Sequence, residues 1–125
     1  MKILLTGGAG FVGSHIIARE LEIGNEIVCV DIKSDNIEQF YDNPSFTFHN
    51  NSILDEEFMR REIEKCDMVI HLAAIANPDI YCINPDLVLK TNIEGTILIS
   101  KLCMELDKKI VFSSSSEVYG KNTMV

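Results

Sequence analysis

The chain is poor in arginine, has no long apolar run and carries an excess of acid. Arginine occurs three times, and 19 acidic residues stand against 11 basic ones, which gives a formal net charge of −8. The absence of a basic stripe argues against nucleic acid as a partner. No run approaches membrane-spanning length and the first residues lack a secretory signal pattern, so we expect a cytoplasmic protein without membrane contact. A phosphate ligand would be held mainly by backbone N–H groups.

Metal-ligand spacings are also missing. The four cysteines form no CxxC pair, and the three histidines show no ligand spacing. We therefore expect free thiols in a reducing compartment and no metal site.

Strand and helix patterns alternate along the chain. The strand patterns cover Lys2–Leu5, Glu26–Val30, Phe46–His49, Asp67–His71 and Lys109–Ser113. The helix patterns cover Phe11–Glu22, Asn36–Tyr41, Asp55–Lys65 and Asp86–Leu106, with a loop between the fourth strand and the last helix. This alternation predicts one α/β domain over residues 1–125, a Rossmann-type doubly wound parallel sheet of order 3-2-1-4-5 that is truncated after strand five.

A glycine loop joins the first strand to the first helix. Residues 6–13 read TGGAGFVG, and a loop of this kind at a helix start is a phosphate site. Asp31 ends the second strand, 18 positions after Gly13, where a dinucleotide fold places an acid on the adenosine ribose. This predicts NAD as cofactor, although Lys33 leaves NADP open; the alternative is a tight structural turn followed by a strand-end aspartate.

Four segments resemble, in order, motifs of the extended short-chain dehydrogenases/reductases. Residues 6–13 are similar to the TGxxGxxG signature, and HLAA at 71–74 is similar to the motif that ends the fourth strand. LKTNIEGT at 89–96 resembles the VNVxGT helix segment, and SSSSEVYG at 113–120 resembles SSxxVYG. The resemblance implies an NAD(P)-dependent enzyme that acts on nucleotide sugars. It places on the cofactor Gly7, Gly10, Phe11, Val12, Gly13, Asp31, Ile32, Ser52, Ile53, Leu72, Ala73 and Ala74.

Segments 31–35, 74–81 and 115–120 resemble UDP-glucuronic acid decarboxylases more specifically. This resemblance implies that Ser115 hydrogen-bonds the sugar oxygen being oxidised and that Ser116 and Glu117 face the substrate carboxylate. Ala76 and Tyr81 would line the substrate. Loss of carbon dioxide would follow oxidation of the sugar by NAD, and a nucleotide-sugar 4-epimerase or 4,6-dehydratase is the alternative.

Each role has a structural alternative. The serines could bond the backbone of a turn, Glu117 could be a solvated charge, and Tyr81 could cover the core. We expect His71 to serve packing and Asn92 to anchor the loop to its helix.

The sequence departs from the family at two points. None of the three tyrosines has a lysine four positions later, so the family's YxxxK base is absent, and we expect no nucleotide-sugar turnover by this chain. Asn51-Ser52-Ile53 stands where the family usually has Gly-Asp-Ile, which predicts a weaker adenine contact. We consider an N-terminal part of an enzyme without its substrate domain, an NAD-sensing module, and a half-enzyme completed by another chain. A homodimer through Asp86–Leu106 is a further expectation, since members of the family pair through this helix.

Overall fold

The computed structural model of the chain describes residues 1–121, without the side chain of Glu117. Five parallel strands form one sheet in the order β3-β2-β1-β4-β5. The strands are β1 Lys2–Thr6, β2 Glu26–Asp31, β3 Phe46–Asn50, β4 Met68–His71 and β5 Lys109–Phe112. The predicted fold class and strand order are confirmed.

Helices connect the strands. They are α1 Phe11–Glu22, α2 Glu56–Glu64, α3 Pro78–Ile83, α4 Pro85–Leu89 and α5 Thr96–Glu105, with a π-helical turn at Lys90–Gly95 between α4 and α5. Short 3-10 turns occupy Glu38–Phe40 and Ser116–Tyr119. In this described part of the chain, no helix is both long and apolar enough to cross a membrane.

The core lies on both faces of the sheet because neighbouring strand residues point to opposite sides. Leu4 packs on one face with residues of α2 and α5, including Met59 and Leu102. Ile3 and Leu5 pack on the other face with residues such as Ile17 of α1 and Ile37. A parallel sheet that is covered twice explains the continuous apolar character of its inner strands.

The predicted loop between β4 and the last helix is wrong in part, because it contains α3. Asn77 accepts a hydrogen bond from Asp79 N at 3.0 Å, and Asn84 accepts one from Leu87 N at 3.2 Å. Each asparagine caps a helix whose first residue is proline, at positions 78 and 85. Proline suits the first helical position, where no N–H is needed. The two Asn-Pro pairs therefore start helices instead of marking turns.

The predicted helix Asp86–Leu106 is also revised. It begins at Pro85 and ends at Glu105, and the π-helical turn interrupts it. The turn places Gly95 against the loop after β3: a Cβ at Gly95 would lie 2.5 Å from Ile53 Cδ1. The predicted helix Asn36–Tyr41 is a 3-10 turn of three residues, preceded by Asn36 at φ 63°.

Candidate functional site

One cavity of about 710 Å³ opens at the carboxyl ends of the strands. The loops that follow β1, β2, β3 and β4 line it, together with residues of α3, α4 and the π-helical turn. Ten predicted site residues are among its lining: Gly7, Gly10, Asp31, Ile32, Ser52, Ile53, Leu72, Ala73, Ala74 and Ala76. This is the switch point of a doubly wound sheet, where ligands of such folds bind.

The glycine loop is packed so closely against backbone at Gly7 and Gly13 that a side chain is excluded at these two positions. Gly7 has φ +71°, and a Cβ there would lie 2.6 Å from the backbone nitrogen of Ala73. A Cβ at Gly13 would lie 2.6 Å from Gly8 Cα. The loop after β1 therefore touches the loop after β4 directly, and α1 lies against the glycine loop.

The N-terminus of α1 offers free backbone donors. Gly10 is the N-cap and has no side chain to cap the helix, and the first helical bond runs from Ser14 N to Gly10 O at 3.0 Å. The N–H groups of Phe11, Val12 and Gly13 consequently have no acceptor within the helix. The side chains of Phe11 and Val12 lie outside the cavity, exposed in a shallow depression beside His15. Only their backbone can serve the predicted role.

Asp31 is held by two backbone amides. Its Oδ2 accepts from Ala9 N at 3.0 Å and its Oδ1 accepts from Lys33 N at 3.1 Å. The side-chain amide of Asn36 donates to Ala9 O at 3.0 Å. These bonds join the glycine loop to the loop after β2 and fix a carboxylate at the cavity wall. Sequence reasoning did not single out Asn36; the one available signal was the residue type, because asparagine adopts a positive φ more readily than most residues, and Asn36 has φ 63°.

The loop after β3 forms another wall. Ser52 N donates to Asn51 Oδ1 at 2.7 Å, and Ser52 Oγ accepts from Leu54 N at 3.2 Å. The Ser52 hydroxyl keeps its own hydrogen for a ligand. Ile53 is almost fully buried and packs in the core beside the π-helical turn.

The loop after β4 is anchored by Asn92. Ile75 N donates to Asn92 Oδ1 at 2.8 Å, and Asn92 Nδ2 donates to Ile75 O at 2.9 Å. The amide thereby pairs with both backbone groups of Ile75, as a neighbouring strand would. The expected anchoring role of Asn92 is confirmed.

The predicted substrate residues do not all meet at the cavity. Tyr81 lies on α3, half-exposed, and is outside the lining, as are Ser115 and Ser116. The serine segment nevertheless follows β5 next to the end of β4, where Ser113 N donates to His71 O at 3.3 Å. Ser115 O accepts from Val118 N at 3.3 Å at the final 3-10 turn. The backbone of Glu117 lies in that turn, and its side chain is outside the described part.

His71 is buried between two threonines. Its Nδ1 lies 2.6 Å from Thr6 Oγ1, and its Nε2 lies 3.1 Å from Thr96 Oγ1. The ring stacks on Phe112, with centroids 5.8 Å apart. Burial lowers the pKa of the imidazole below its ordinary 6.5. The expectation that His71 serves packing is therefore incomplete, because both ring nitrogens are also hydrogen-bonded. The sequence pattern could not reveal these bonds, since the partners come from distant segments.

Within residues 1–121, no three side chains of the metal-ligating types gather closely enough to hold an ion.

Residues 3–125 match the profile of a protein family described as NAD dependent epimerase/dehydratase.

The chain belongs to this family.

Solved structures of similar proteins agree with this assignment. The UDP-glucose 4-epimerase of Thermotoga maritima is 36% identical with a TM-score of 0.86, and the match covers 100% of this chain and 41% of that one. The UDP-N-acetylglucosamine 4-epimerase of Methanobrevibacter ruminantium is 28% identical with a TM-score of 0.87, over 98% of this chain and 40% of that one. A UDP-glucose-4-epimerase of Stenotrophomonas maltophila was solved with bound NAD and formylated UDP-arabinopyranose. It is 28% identical with a TM-score of 0.87, and the match covers 98% of this chain and 39% of that one.

The chain spans about two fifths of the length of these family members. NAD, the predicted cofactor, is the one that the family description names. The three proteins are named as UDP-sugar 4-epimerases, and none of these three names mentions decarboxylation.

Proposed function

We propose that this chain binds NAD in the cavity and forms the cofactor-binding part of an enzyme that modifies a nucleotide sugar, with a UDP-sugar as substrate. One observation carries the proposal: the Asp31 carboxylate is fixed by backbone amides next to a glycine loop that begins a helix. An acidic group at one end and unpaired N–H donors at the other suit a ribose and a pyrophosphate, respectively.

The residues present fit the cofactor. The glycine loop brings backbone so near to Ala73 that no side chain fits between them, and small residues continue to Ala74 and Ala76 along the wall. The N–H groups of Phe11 and Val12 would hold the pyrophosphate, and Asp31 would accept from the ribose hydroxyls. Gly13 would permit the close approach of α1, while Ile32, Ser52 and Ile53 would border the adenine.

NAD, when bound, supplies an acceptor for the hydride of a sugar hydroxyl carbon. Ser115 would hydrogen-bond the oxygen of that hydroxyl, because a serine can accept from an alcohol and donate to a carbonyl. Ser116 and Glu117 would face the sugar beside it, and Ala76 and Tyr81 would border it. Their positions after β5 and after β4 place them at the same edge of the sheet as the cavity.

Among the reactions of such an enzyme, 4-epimerisation is supported by three of the similar structures, which are named as 4-epimerases. Oxidative decarboxylation of UDP-glucuronate rests on the sequence around Glu117. An NAD-sensing module remains a second candidate, because the chain has no tyrosine with a lysine four positions later.

Asp31→Asn tests the cofactor site directly. The amide keeps one acceptor oxygen but loses the charge, so we expect NAD affinity to fall about tenfold, or about 1.4 kcal/mol. Isothermal titration calorimetry with NAD and NADP measures this, and the wild-type chain should prefer NAD. Asp42→Asn, at an exposed turn outside the cavity, is the matched control and should bind NAD normally. A folded wild-type chain that gives no heat with NAD at about millimolar concentration would contradict the proposal.

The reaction is tested separately from binding. The chain is incubated with NAD and either UDP-glucose or UDP-glucuronate, and NADH, the 4-epimer and carbon dioxide are measured. We expect none of these products from the chain alone, since the YxxxK base is missing. Turnover to the 4-epimer or to carbon dioxide would overturn that expectation and would identify the reaction.

A further inference from the structure

A continuous set of hydrogen bonds lies behind the cavity wall, where only Ala73 among its members lines the cavity. Ala73 N donates to Thr6 Oγ1 at 3.4 Å, and Thr6 Oγ1 lies 2.6 Å from His71 Nδ1. On the other side of the ring, Nε2 lies 3.1 Å from Thr96 Oγ1, and that hydroxyl donates to Asn92 O at 2.8 Å. The contacts connect the end of β1, the end of β4 and the start of α5.

The direction of these bonds follows from the inventory of donors. The single hydrogen of the Thr96 hydroxyl is used on Asn92 O, so His71 Nε2 has to donate to Thr96. The neutral ring then has no hydrogen on Nδ1, and the Thr6 hydroxyl donates to it. Thr6 keeps a lone pair for Ala73 N. Every donor in the set has one acceptor only if the proton is on Nε2.

The set fixes the loop after β4 at two points. Ala73 is held through Thr6, and Ile75 is held through the side chain of Asn92. Gly7 follows Thr6 directly in the chain. Ala73 N lies so close to Gly7 that a Cβ there would be 2.6 Å from it. A change at His71 would therefore move the glycine loop and the small-residue wall relative to each other.

We propose that His71 is a positioning residue for the cofactor site: as the neutral Nε2–H form, it holds the loop after β1 and the loop after β4 at a fixed spacing through Thr6 and Thr96. This inference rests on the proposed binding of NAD in the cavity. His71 is 1% exposed and makes no contact with the cavity itself. Its influence on the ligand is exerted through the two loops.

Protonation of His71 disrupts the set. The hydrogen-bond and ring-stacking partners of His71 in the described structure are Thr6 from β1, Thr96 from α5 and Phe112 from β5, and none of them is charged or titratable. A second ring proton would point at Thr6 Oγ1, whose own hydrogen would lose its acceptor. Burial lowers the pKa of His71, so the neutral form is complete above about pH 6.5 and is lost as the pH falls through the lowered pKa.

The first test needs no substitution. Nitrogen-15 spectra of the histidine rings in the full chain report which ring nitrogen carries the proton. We expect His71 to show a protonated Nε2 and a bare Nδ1 at neutral pH, without ligand. A proton on Nδ1, or a charged ring at neutral pH, would overturn the inference whether or not the chain binds NAD.

The second test measures NAD affinity by calorimetry at about pH 7.5 and then at successively lower pH values at which the chain stays folded. His71→Leu should bind about tenfold more weakly than wild type at the higher pH, because Thr6 and Thr96 lose their partner. His71→Asn keeps an acceptor for Thr6 and should recover most of that affinity. Wild-type affinity should weaken as the pH falls through the lowered pKa of His71, whereas the affinity of His71→Asn should not. Thermal unfolding of each variant shows whether it is folded.

His49→Gln is the matched control, since His49 lies on β3 outside the cavity and should leave the affinity and its pH dependence unchanged. If the leucine variant fails to fold, Thr96→Val and Thr96→Ser replace it, and only valine should weaken binding. Folded variants with wild-type affinity at every pH value of the series would refute the positioning role. A wild-type chain without any NAD binding would refute the proposed function, and the role of His71 with it.

Discussion

The four cysteines differ in how far solvent can reach them. Cys29, Cys66 and Cys103 are buried free thiols, whereas Cys82 is exposed on α3. Burial raises the pKa of Cys29 to about 12, with a smaller contribution from the charge of Asp31. Burial also raises the pKa of Cys103 to about 11. Burial raises the pKa of Cys66 as well, so the reactive thiolate is scarce at the three buried positions, and Cys82 is the exposed thiol.

We predict that a thiol reagent labels one cysteine per native chain quickly, near pH 8. The reagent 5,5′-dithiobis(2-nitrobenzoate) gives the count from absorbance, and Cys82→Ser should remove the fast phase. In denaturant all four thiols of the wild type should react. Fast labelling of the Cys82→Ser variant in its native state would show that a buried thiol opens more readily than its packing suggests.

Charged side chains also show how burial and pairing compete at single residues. Glu62 is buried, which by itself would raise its pKa, but hydrogen bonds from Lys65 and Arg61 outweigh burial and lower it. The hydrogen bonds measure 2.8 Å from Lys65 Nζ and 3.2 Å from Arg61 Nε. Glu62 thus contributes stability above its unfolded pKa and loses that contribution as the pH falls through the lowered value.

At the scale of elements, the π-helical turn before α5 packs against the loop after β3. Gly95 is buried in this turn, and Ile53 fills the space where its side chain would be. Alanine is a better helix former than glycine by up to about 1 kcal/mol, whereas overpacking of a core costs about 1–3 kcal/mol. A Cβ at Gly95 would lie 2.5 Å from Ile53 Cδ1 and 3.1 Å from Cγ1, and Ile53 is buried and has little room to move, so we expect the cost of overpacking to exceed the gain in helix propensity.

We predict that Gly95→Ala lowers the free energy of unfolding by about 1 kcal/mol or more. Ile53→Val removes the methyl group in conflict, so Gly95→Ala should cost at least about 0.5 kcal/mol less in that background. Urea denaturation of the four proteins in this double-mutant cycle provides the comparison. Additive effects of the two substitutions would mean that the loop after β3 moves away without resistance.

The elements also show what the sequence could reveal. The strands and α1 follow from local apolar runs and spacing, and α1 was predicted with its observed bounds, Phe11–Glu22. The helix α3 was missed because Asn-Pro can signal either a turn or a capped start, and six residues give too little periodicity to decide. In the π-helical turn, Gly95 lies against Ile53, which is 42 positions earlier in the chain. Local patterns carry no information on such a contact.

The candidate site divides in the same way. The glycines and Asp31 can be recognised from their spacing in the sequence, because a dinucleotide needs those residue types at those positions. The threonines on either side of His71 belong to β1 and α5, and only the folded sheet brings them to one ring. Residues that hold a site in place are harder to recognise from sequence than residues that touch its ligand.

At the scale of the whole molecule, one helical face stays partly exposed. Leu89, Ile93 and Ile97 follow one another at four-residue intervals and are 53%, 52% and 48% exposed. Leu102 of the same helical stretch is buried on the sheet. The predicted homodimer through Asp86–Leu106 would cover this outer face.

We predict a dimer in solution that Ile97→Glu converts to a monomer, since a buried charge without a partner opposes association. Light scattering coupled to size-exclusion chromatography measures the mass over a concentration series. Ile23→Glu introduces the same charge at an exposed apolar residue that follows α1 and should leave the dimer intact. A wild-type chain that stays monomeric at the highest concentration would contradict the predicted dimer.

The close contacts of four glycines, three in residues 6–13 and Gly95 in the π-helical turn, predict which substitutions a second-site mutation can compensate. A side chain at Gly95 is opposed by Ile53, and a side chain at Gly8 by Cys29 and Leu5, all of which a second substitution can shorten. At Gly7 and Gly13 the opposing atoms belong to the backbone, which no substitution can shorten. In a selection for restored NAD binding, loss of Gly8 or Gly95 should yield second-site suppressors. Loss of Gly7 or Gly13 should yield true revertants.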